Sequence, residues 1–343
     1  MATDLATDSP ALEGNRKFVW FTPAGRFATE YEMFTIGQQS SPKEWLHVDW
    51  PLRFDDGRAP YTDTSTAVRS SDWEQFRDPV QLWYRPFVSS TNQEEQTLDR
   101  LSSEALADGV AANIKPVWLG EVLGKYYAAW PFVEYGQFLS LCYPVREALG
   151  DSVMFVLVFE ATDKMRHLQD IVHLTFDLKE ALPDYSDAAA REAWMTDPVL
   201  VPTREAVEHI FSAKDWMEVI VAINLVFEPL VGDLMKTEFL ARSASRNGDP
   251  VTPMILAGTR RNTDRHLKAT TALIQMLVAD PVHGAENRRI VSGWIDTWKP
   301  TMTTAATAYR PLFGLEGIDA PDFDEALANV TSRFGSIRTD LGV

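Results

Sequence analysis

Residues 153–178 read VMFVLVFEATDKMRHLQDIVHLTFDL, and this stretch decides the fold. Met154, Leu157, Ala161, Met165, Leu168, Val172 and Phe176 recur at three- and four-residue steps, which places them on one face of an α-helix. The same period returns in Trp216, Val219, Ile223, Val226, Leu230 and Leu234. It returns again in Leu267, Thr271, Ile274 and Val278, and in Trp294, Trp298, Met302, Ala305, Tyr309 and Leu312. Pro183, Pro198, Pro202, the NGDP run at 247–250 and Pro281 separate these segments. Helices of about 30 residues, roughly 45 Å long, fit between the breaks. Helices that long imply a bundle, so the expected fold is all-α, with residues 96–343 forming a long-helix domain.

Towards the N-terminus the character changes. From Phe18 to Phe87 there are 15 aromatic residues in 70, about twice the chain's 11% average, interleaved with Pro23, Pro42, Pro51, Pro60, Pro79 and Pro86. Proline at this density keeps breaking helices, so residues 1–95 are expected to form an extended docking arm. Its large aromatics must bury themselves on the chain's own helices or on another subunit. Trp20, Phe21, Tyr31, Trp45 and Trp50 are the expected anchors of a subunit interface, since buried Trp and Tyr dominate interface energies.

The net charge of −17 argues against a nucleic-acid partner, because neutralising phosphates needs clustered Lys and Arg. The longest apolar run, residues 153–159, is far too short to cross a membrane, and Met1 to Pro10 lack the pattern of a secretory signal. A cytoplasmic protein without membrane contact is expected. The single cysteine, Cys142, excludes an intrachain disulfide framework and reads as a small core residue.

A long-helix bundle raises the question of a carboxylate-bridged diiron site, which needs two lone Glu and two Glu-x-x-His motifs on facing helices. Lys164, Ala206 and Thr263 stand three residues before His167, His209 and His266. His173 and His283 follow Asp170 and Asp280, and the one true Glu-x-x-His, Glu44 with His47, lies in the arm. What remains on the long helices is a degenerate set: Glu134 with Gln137, Glu160, Glu228, and Thr263 with His266. Gln is a poor iron ligand and Thr cannot bridge, so no metal and no catalytic residue is expected in this chain. Glu134 and Glu228 are expected to pair with Arg, Tyr or amide groups or to be partly exposed, since a buried lone carboxylate is costly. Glu160, Asp163, His167 and Asp170 share one helix face; a solvated polar face opposite the Leu157–Leu168 stripe is the expected reading, and a network supporting a site or an interface its alternative.

The segment FVWFTPAGRFATEYE at 18–32, then TIGQQ at 35–39 and Pro42-Lys43, resembles the N-terminal signature of the hydroxylase β subunits of bacterial multicomponent diiron monooxygenases. So does WEQFRDPVQLWYRPF at 73–87, and the likeness continues through Glu134-Tyr135-Gly136 and the 287–312 helix. The alkene and propane branch is the most alike. The resemblance implies a ferritin-like helical core without metal ligands, and an arm that wraps along a catalytic α subunit. It implies that the α subunit binds the diiron centre and oxidises a small hydrocarbon, alkene epoxidation first among the reactions. Electrons would come from NADH through a separate reductase, and a small coupling protein would regulate the reaction. A self-contained diiron oxidase or oxygenase is the rival, and it would need Gln137 and Thr263 to serve in ligand positions. A class I terpenoid synthase fails on its Mg²⁺ motif, since Asp55-Asp56-Gly57 lies in the arm and Asp319 to Asp324 are irregularly spaced beside Pro321.

Overall fold

The structure is a computed structural model and describes residues 21–38 and 53–343. Among these residues every regular element is helical. A short α1 (Glu30–Thr35) opens with a capping box, in which Thr29 and Glu32 exchange side-chain and backbone hydrogen bonds. Then come α2 (Tyr84–Ala107), α3 (Trp118–Tyr127), α4 (Pro131–Glu147) and α5 (Asp151–Ala181). After α6 (Ala190–Thr196) and α7 (Val201–Ser212) lies α8, residues 216–241, followed by α9 (Val251–Val278), α10 (Gly284–Ala308) and α11 (Phe323–Leu341).

Four of these make the core: α4 packs on α5, α5 on α9, α9 on α8, and the first turn of α8 back on α4. This is a ferritin-like arrangement, with α10 and α11 laid outside α8 and α2 laid across α5 and α9. The α4–α5 hairpin turns at Gly150, where a Cβ would come within 2.8 Å of the Trp73 carbonyl oxygen. In α4, a Cβ on Gly136 would collide with Val207, so this glycine lets α7 lie close.

The central helix is α8, buried nearly all round and mostly apolar, with Asn224, Glu228, Lys236 and Glu238 as its buried polar residues. Asp215 caps it, its carboxylate accepting the N–H groups of Met217 and Glu218. From Val221 onward the helix runs in wide π turns, with Pro229 inside it. Proline has no N–H to return to the preceding turn and its ring crowds that turn's carbonyl; the wider coil relieves both.

Several expectations change here. The stretch expected to be extended up to residue 95 is helical from Tyr84, because α2 runs straight through that boundary. The described residues from 53 to 83 lie on the chain's own helical body. Tyr61 N–H donates to Glu147 at 2.6 Å, Ala67 N–H to Asp215 at 2.6 Å, and Ser71 N–H to Asp280 at 2.6 Å. Asn287 brackets Arg69, accepting its N–H at 2.9 Å and donating to its carbonyl at 2.7 Å. Trp73 packs on Trp216 with ring centroids 5.6 Å apart. Asp280, which the Asp-x-x-His spacing had paired with His283, thus serves as a fastener for this segment. Cys142 is exposed rather than in the core, because its α4 position faces outward. Phe176, expected on the buried stripe, is 62% exposed; the inward face of α5 is rotated towards its polar residues.

Candidate functional site, a buried cage of carboxylates and ammonium groups

The inner faces of α4, α5, α8 and α9 do not meet in hydrocarbon alone. From α4 come Glu134 and Gln137; from α5, Glu160, Asp163, Lys164 and His167; from α8, Asn224, Glu228 and Lys236; from α9, Asn262 and His266. All of them are buried. The helical step of three and four residues that stacks Glu160, Lys164 and His167 on α5 also points them at one centre.

At that centre Glu134 and Glu228 face each other across two lysine ammonium groups. Lys164 Nζ lies 2.5 Å from Glu228 Oε1 and 3.7 Å from Glu134 Oε2. Lys236 Nζ lies 2.8 Å from Glu228 Oε2 and 3.5 Å from Glu134 Oε1. The indole N–H of Trp130 donates to Glu134 Oε1 at 3.0 Å. Gly232, one turn from both Glu228 and Lys236, leaves space that a Cβ would take from the Glu228 carboxylate. Burial by itself would raise the pKa of both glutamates, but the opposing ammonium charges outweigh it and hold them below the usual carboxylate range. Burial would lower the Lys236 pKa, and the Glu228 and Glu134 carboxylates reverse that and raise it. Two negative and two positive charges therefore balance inside the protein, which is the condition for burying any of them.

Beside this cage lies a second knot around Asp163. Its carboxylate accepts His266 Nε2–H at 2.8 Å and the Arg166 guanidinium at 3.0 Å, and it pairs with Arg265. Arg166 reaches on to Glu95 of α2 at 2.6 Å, tying the core to the outer helix. Burial would raise the Asp163 pKa, but the His266 hydrogen bond and the arginine charges bring it down to about 2. Burial drives His266 down to about 4, so at neutral pH it is an uncharged hydrogen-bond donor. Asn262 Nδ2 sits 3.3 Å from His167 Nε2, and the opposite nitrogen of that ring, Nδ1, faces Glu134 Oε2 at 3.7 Å, too far for a hydrogen bond.

Glu160 stands apart from the other acids. Asn224 Nδ2 donates to its Oε2 at 3.0 Å and to Thr270 at 2.9 Å, but burial dominates and raises the Glu160 pKa to about 7. With a folded pKa above the unfolded one, Glu160 favours the folded state below about pH 4.5, and this contribution is lost as pH rises through 7. Glu160→Gln keeps the amide contact without the charge, so it is expected to stabilise the protein by about 3 kcal/mol at pH 8 and to change little at pH 4. Urea unfolding at the two pH values checks this, and equal effects at both would refute it.

The sequence-derived positions now have places. Glu134, Gln137, Glu160, Glu228 and His266 are all buried on α4, α5, α8 and α9; Glu134 and Glu228 meet through the lysines, while Glu160 pairs with Asn224 and His266 with Asp163. Thr263 borders the cage but spends its hydroxyl on the Thr259 carbonyl at 3.0 Å. The Glu160, Asp163 and His167 face, expected to be solvated, is core; Asp170, half-buried, marks its edge. The partners of Glu134 and Glu228 are lysines, not the Arg, Tyr or amide groups expected, apart from the Trp130 indole. Lys164 and Lys236 were missed: the sequence showed Lys164 only as the wrong residue before His167. Its signal was a lysine amid Glu160, Asp163 and His167 on one helix face.

Tyr31 is also corrected as an interface anchor. It is buried within this chain, its hydroxyl accepting the Asp78 N–H at 2.9 Å. Phe21 is half-buried under the Arg77 guanidinium, 5.3 Å from its ring centre, while Trp20, Trp45 and Trp50 lie outside the described residues, as do Glu44 and His47.

The donor set does not fit a two-metal group, since ammonium groups, which donate and cannot ligate, fill the space between the carboxylates. Among the described residues no group of three or more His, Cys, Asp or Glu side chains is placed to hold a metal ion. No helix among them is long and apolar enough to cross a membrane.

Residues 50–281 match a family described as methane/phenol/alkene hydroxylase. The chain is 31% identical over 330 residues to the hydroxylase small subunit of propane 2-monooxygenase from Rhodococcus jostii RHA1, covering 96% of this chain and 89% of that one. It is 29% identical to the beta chain of methane monooxygenase component A from Methylococcus capsulatus Bath, covering 93% and 84%. A crystal structure of phenol hydroxylase from Pseudomonas sp. OX1 superposes with a TM-score of 0.76 at 18% identity, covering 92% of this chain and 91% of that one. At that identity the likeness is one of fold.

Proposed function

The chain belongs to the methane/phenol/alkene hydroxylase family, on its hydroxylase small or β subunit side, and we propose that it is the non-catalytic β subunit of a soluble hydrocarbon monooxygenase. The observation that carries this reading is the pair of ammonium groups between Glu134 and Glu228. A bundle whose central carboxylates are already neutralised by lysine holds its helices firmly and leaves dioxygen chemistry to a partner. That partner would be a catalytic α subunit with a diiron centre, served by an NADH-linked reductase and a coupling protein in the cytoplasm. No cofactor, metal or catalytic residue is assigned to this chain.

The division of the chain proposed from sequence, an N-terminal arm followed by a helical domain, gives the subunit contact a shape. The helical body holds residues 53–83 on its own surface, so the contact with the partner falls to the segment before them and to the helices. Deleting residues 1–60 is expected to abolish co-purification with the cognate α subunit while leaving the helical circular dichroism intact. Stoichiometric recovery of α with the truncated chain would defeat the proposal.

For the reaction, epoxidation of a short alkene is the first reading, in keeping with the family description. Hydroxylation of a short alkane is the second, favoured by the identity to propane 2-monooxygenase small subunits. The reconstituted complex offered propene and propane in parallel separates them by product, an epoxide or a secondary alcohol.

A further inference from the structure

A groove runs between α8 and α9 on the outside of the bundle, and we infer that it binds a small neutral molecule with a hydroxyl head and an apolar body, a short-chain alcohol by class. The inference needs neither the partner nor the reaction proposed above.

A cavity of about 240 Å³ opens there, with Ala241, Pro253, Leu256 and Ala257 as its apolar wall and Asp233 and Arg260 at its polar end. Asp233, Arg260 and Thr263 also line a second cavity of about 240 Å³, to which α11 contributes Arg333 and Ile337. Along this wall α8 runs in π turns from Leu234 to Ala241, a wide coil that is frequent at functional sites. Space of this order takes a body of about six carbon atoms, since roughly 150 Å³ lined by hydrocarbon already takes up benzene.

The polar end selects the head group. Arg260 Nη1 donates to Thr237 Oγ1 at 3.1 Å, and that hydroxyl donates to Asp233 Oδ1 at 3.3 Å. The other carboxylate oxygen, Oδ2, lies 3.4 Å from Arg333 Nε, which has no hydrogen-bond partner among the described residues. Burial outweighs the guanidinium charges and raises the Asp233 pKa, so this carboxylate is short of donors. Arg260 is paired in turn with Asp264 at 3.3 Å, while the Lys236 ammonium is spent on Glu228 and Glu134. An ammonium head would therefore meet Arg260 and Arg333, and a carboxylate head would meet Asp233 and Asp264. A hydroxyl donates to the carboxylate and accepts from a guanidinium at once, as Thr237 already does.

The test is saturation-transfer NMR on the full-length chain at pH 8 with hexanol as the probe, scoring hexylammonium and hexanoate by their displacement of it. Hexanol is expected to bind with a Kd of about 1 mM, about tenfold tighter than either ion. Ala257→Trp, at an exposed position on the apolar wall, is expected to weaken hexanol about tenfold or more while leaving the helical circular dichroism intact. Asp233→Asn removes the negative charge and is expected to admit hexanoate about tenfold more tightly than wild type does. Equal binding of the three probes, hexanol binding that survives Ala257→Trp, or no hexanol binding at about ten times the expected Kd overturns the inference. Should Ala257→Trp unfold the chain, Asp233→Asn decides: a gain for hexanoate supports the site, and no gain overturns it.

Discussion

Lys164→Met is expected to destabilise the folded chain by about 3–5 kcal/mol, the range found when one partner of a buried ion pair is removed. The methionine fills nearly the same volume, so cavity formation contributes little and the loss is electrostatic. Lys164 Nζ is 2.5 Å from Glu228 Oε1, and neither side chain has more than 4% of its surface exposed, so water cannot take the lysine's place. The remaining ammonium of Lys236 must then hold two carboxylates. Adding Glu228→Gln removes the surplus charge, and the double variant should recover most of the loss. A double-mutant cycle by urea unfolding measures the coupling directly. A single-variant loss below about 1 kcal/mol, or strict additivity, would mean that the cage is not a mutually neutralised unit.

Asp163→Ala is expected to be as damaging, again about 3–5 kcal/mol at pH 7, for a different reason. Here the removed group is the acceptor for His266, Arg166 and Arg265, whose donors converge from two helices. Without it the two guanidinium charges repel in a largely buried space, and Arg166 loses the inward half of a link that continues to Glu95. The pH dependence follows from the signs. Asp163 titrates at about 2 in the folded chain against an ordinary 3.8, so its stabilisation is present above about pH 4 and is lost as pH falls towards 2. His266, lowered to about 4 from 6.5, acts in the same direction, because the unfolded chain takes up its proton first. Stability should therefore fall as the medium is acidified from pH 6.5, and Asp163→Ala should lose the part of that fall below pH 4. An unchanged slope there would remove Asp163 from the account.

How much of this was readable in advance depends on which physical term did the work. Residues 216–234 declared a helix with one apolar face, and the structure buries all six stripe residues, Trp216, Val219, Ile223, Val226, Leu230 and Leu234. The 294–312 stripe was equally legible, with Trp298, Met302, Ala305, Tyr309 and Leu312 all in the core. On α5 the same method named the wrong face. Periodicity finds a polar stripe but cannot distinguish one that meets water from one that meets opposite charge across a bundle. Glu160, Asp163 and His167 are of the second kind. Tyr31 fell to a similar ambiguity, because an aromatic in a proline-rich segment declares that it will be buried without saying against what.

The sequence by itself determined the helical class and the lack of Glu-x-x-His motifs on the long helices, because these follow from local spacing. Only the tertiary structure decided what lies between the carboxylates. Lys164 and Lys236 come from different helices, and each alone reads as an ordinary surface lysine. Their ammonium groups meet Glu134 and Glu228 only when α4, α5 and α8 pack, and only in that packing does burying all four charges become favourable.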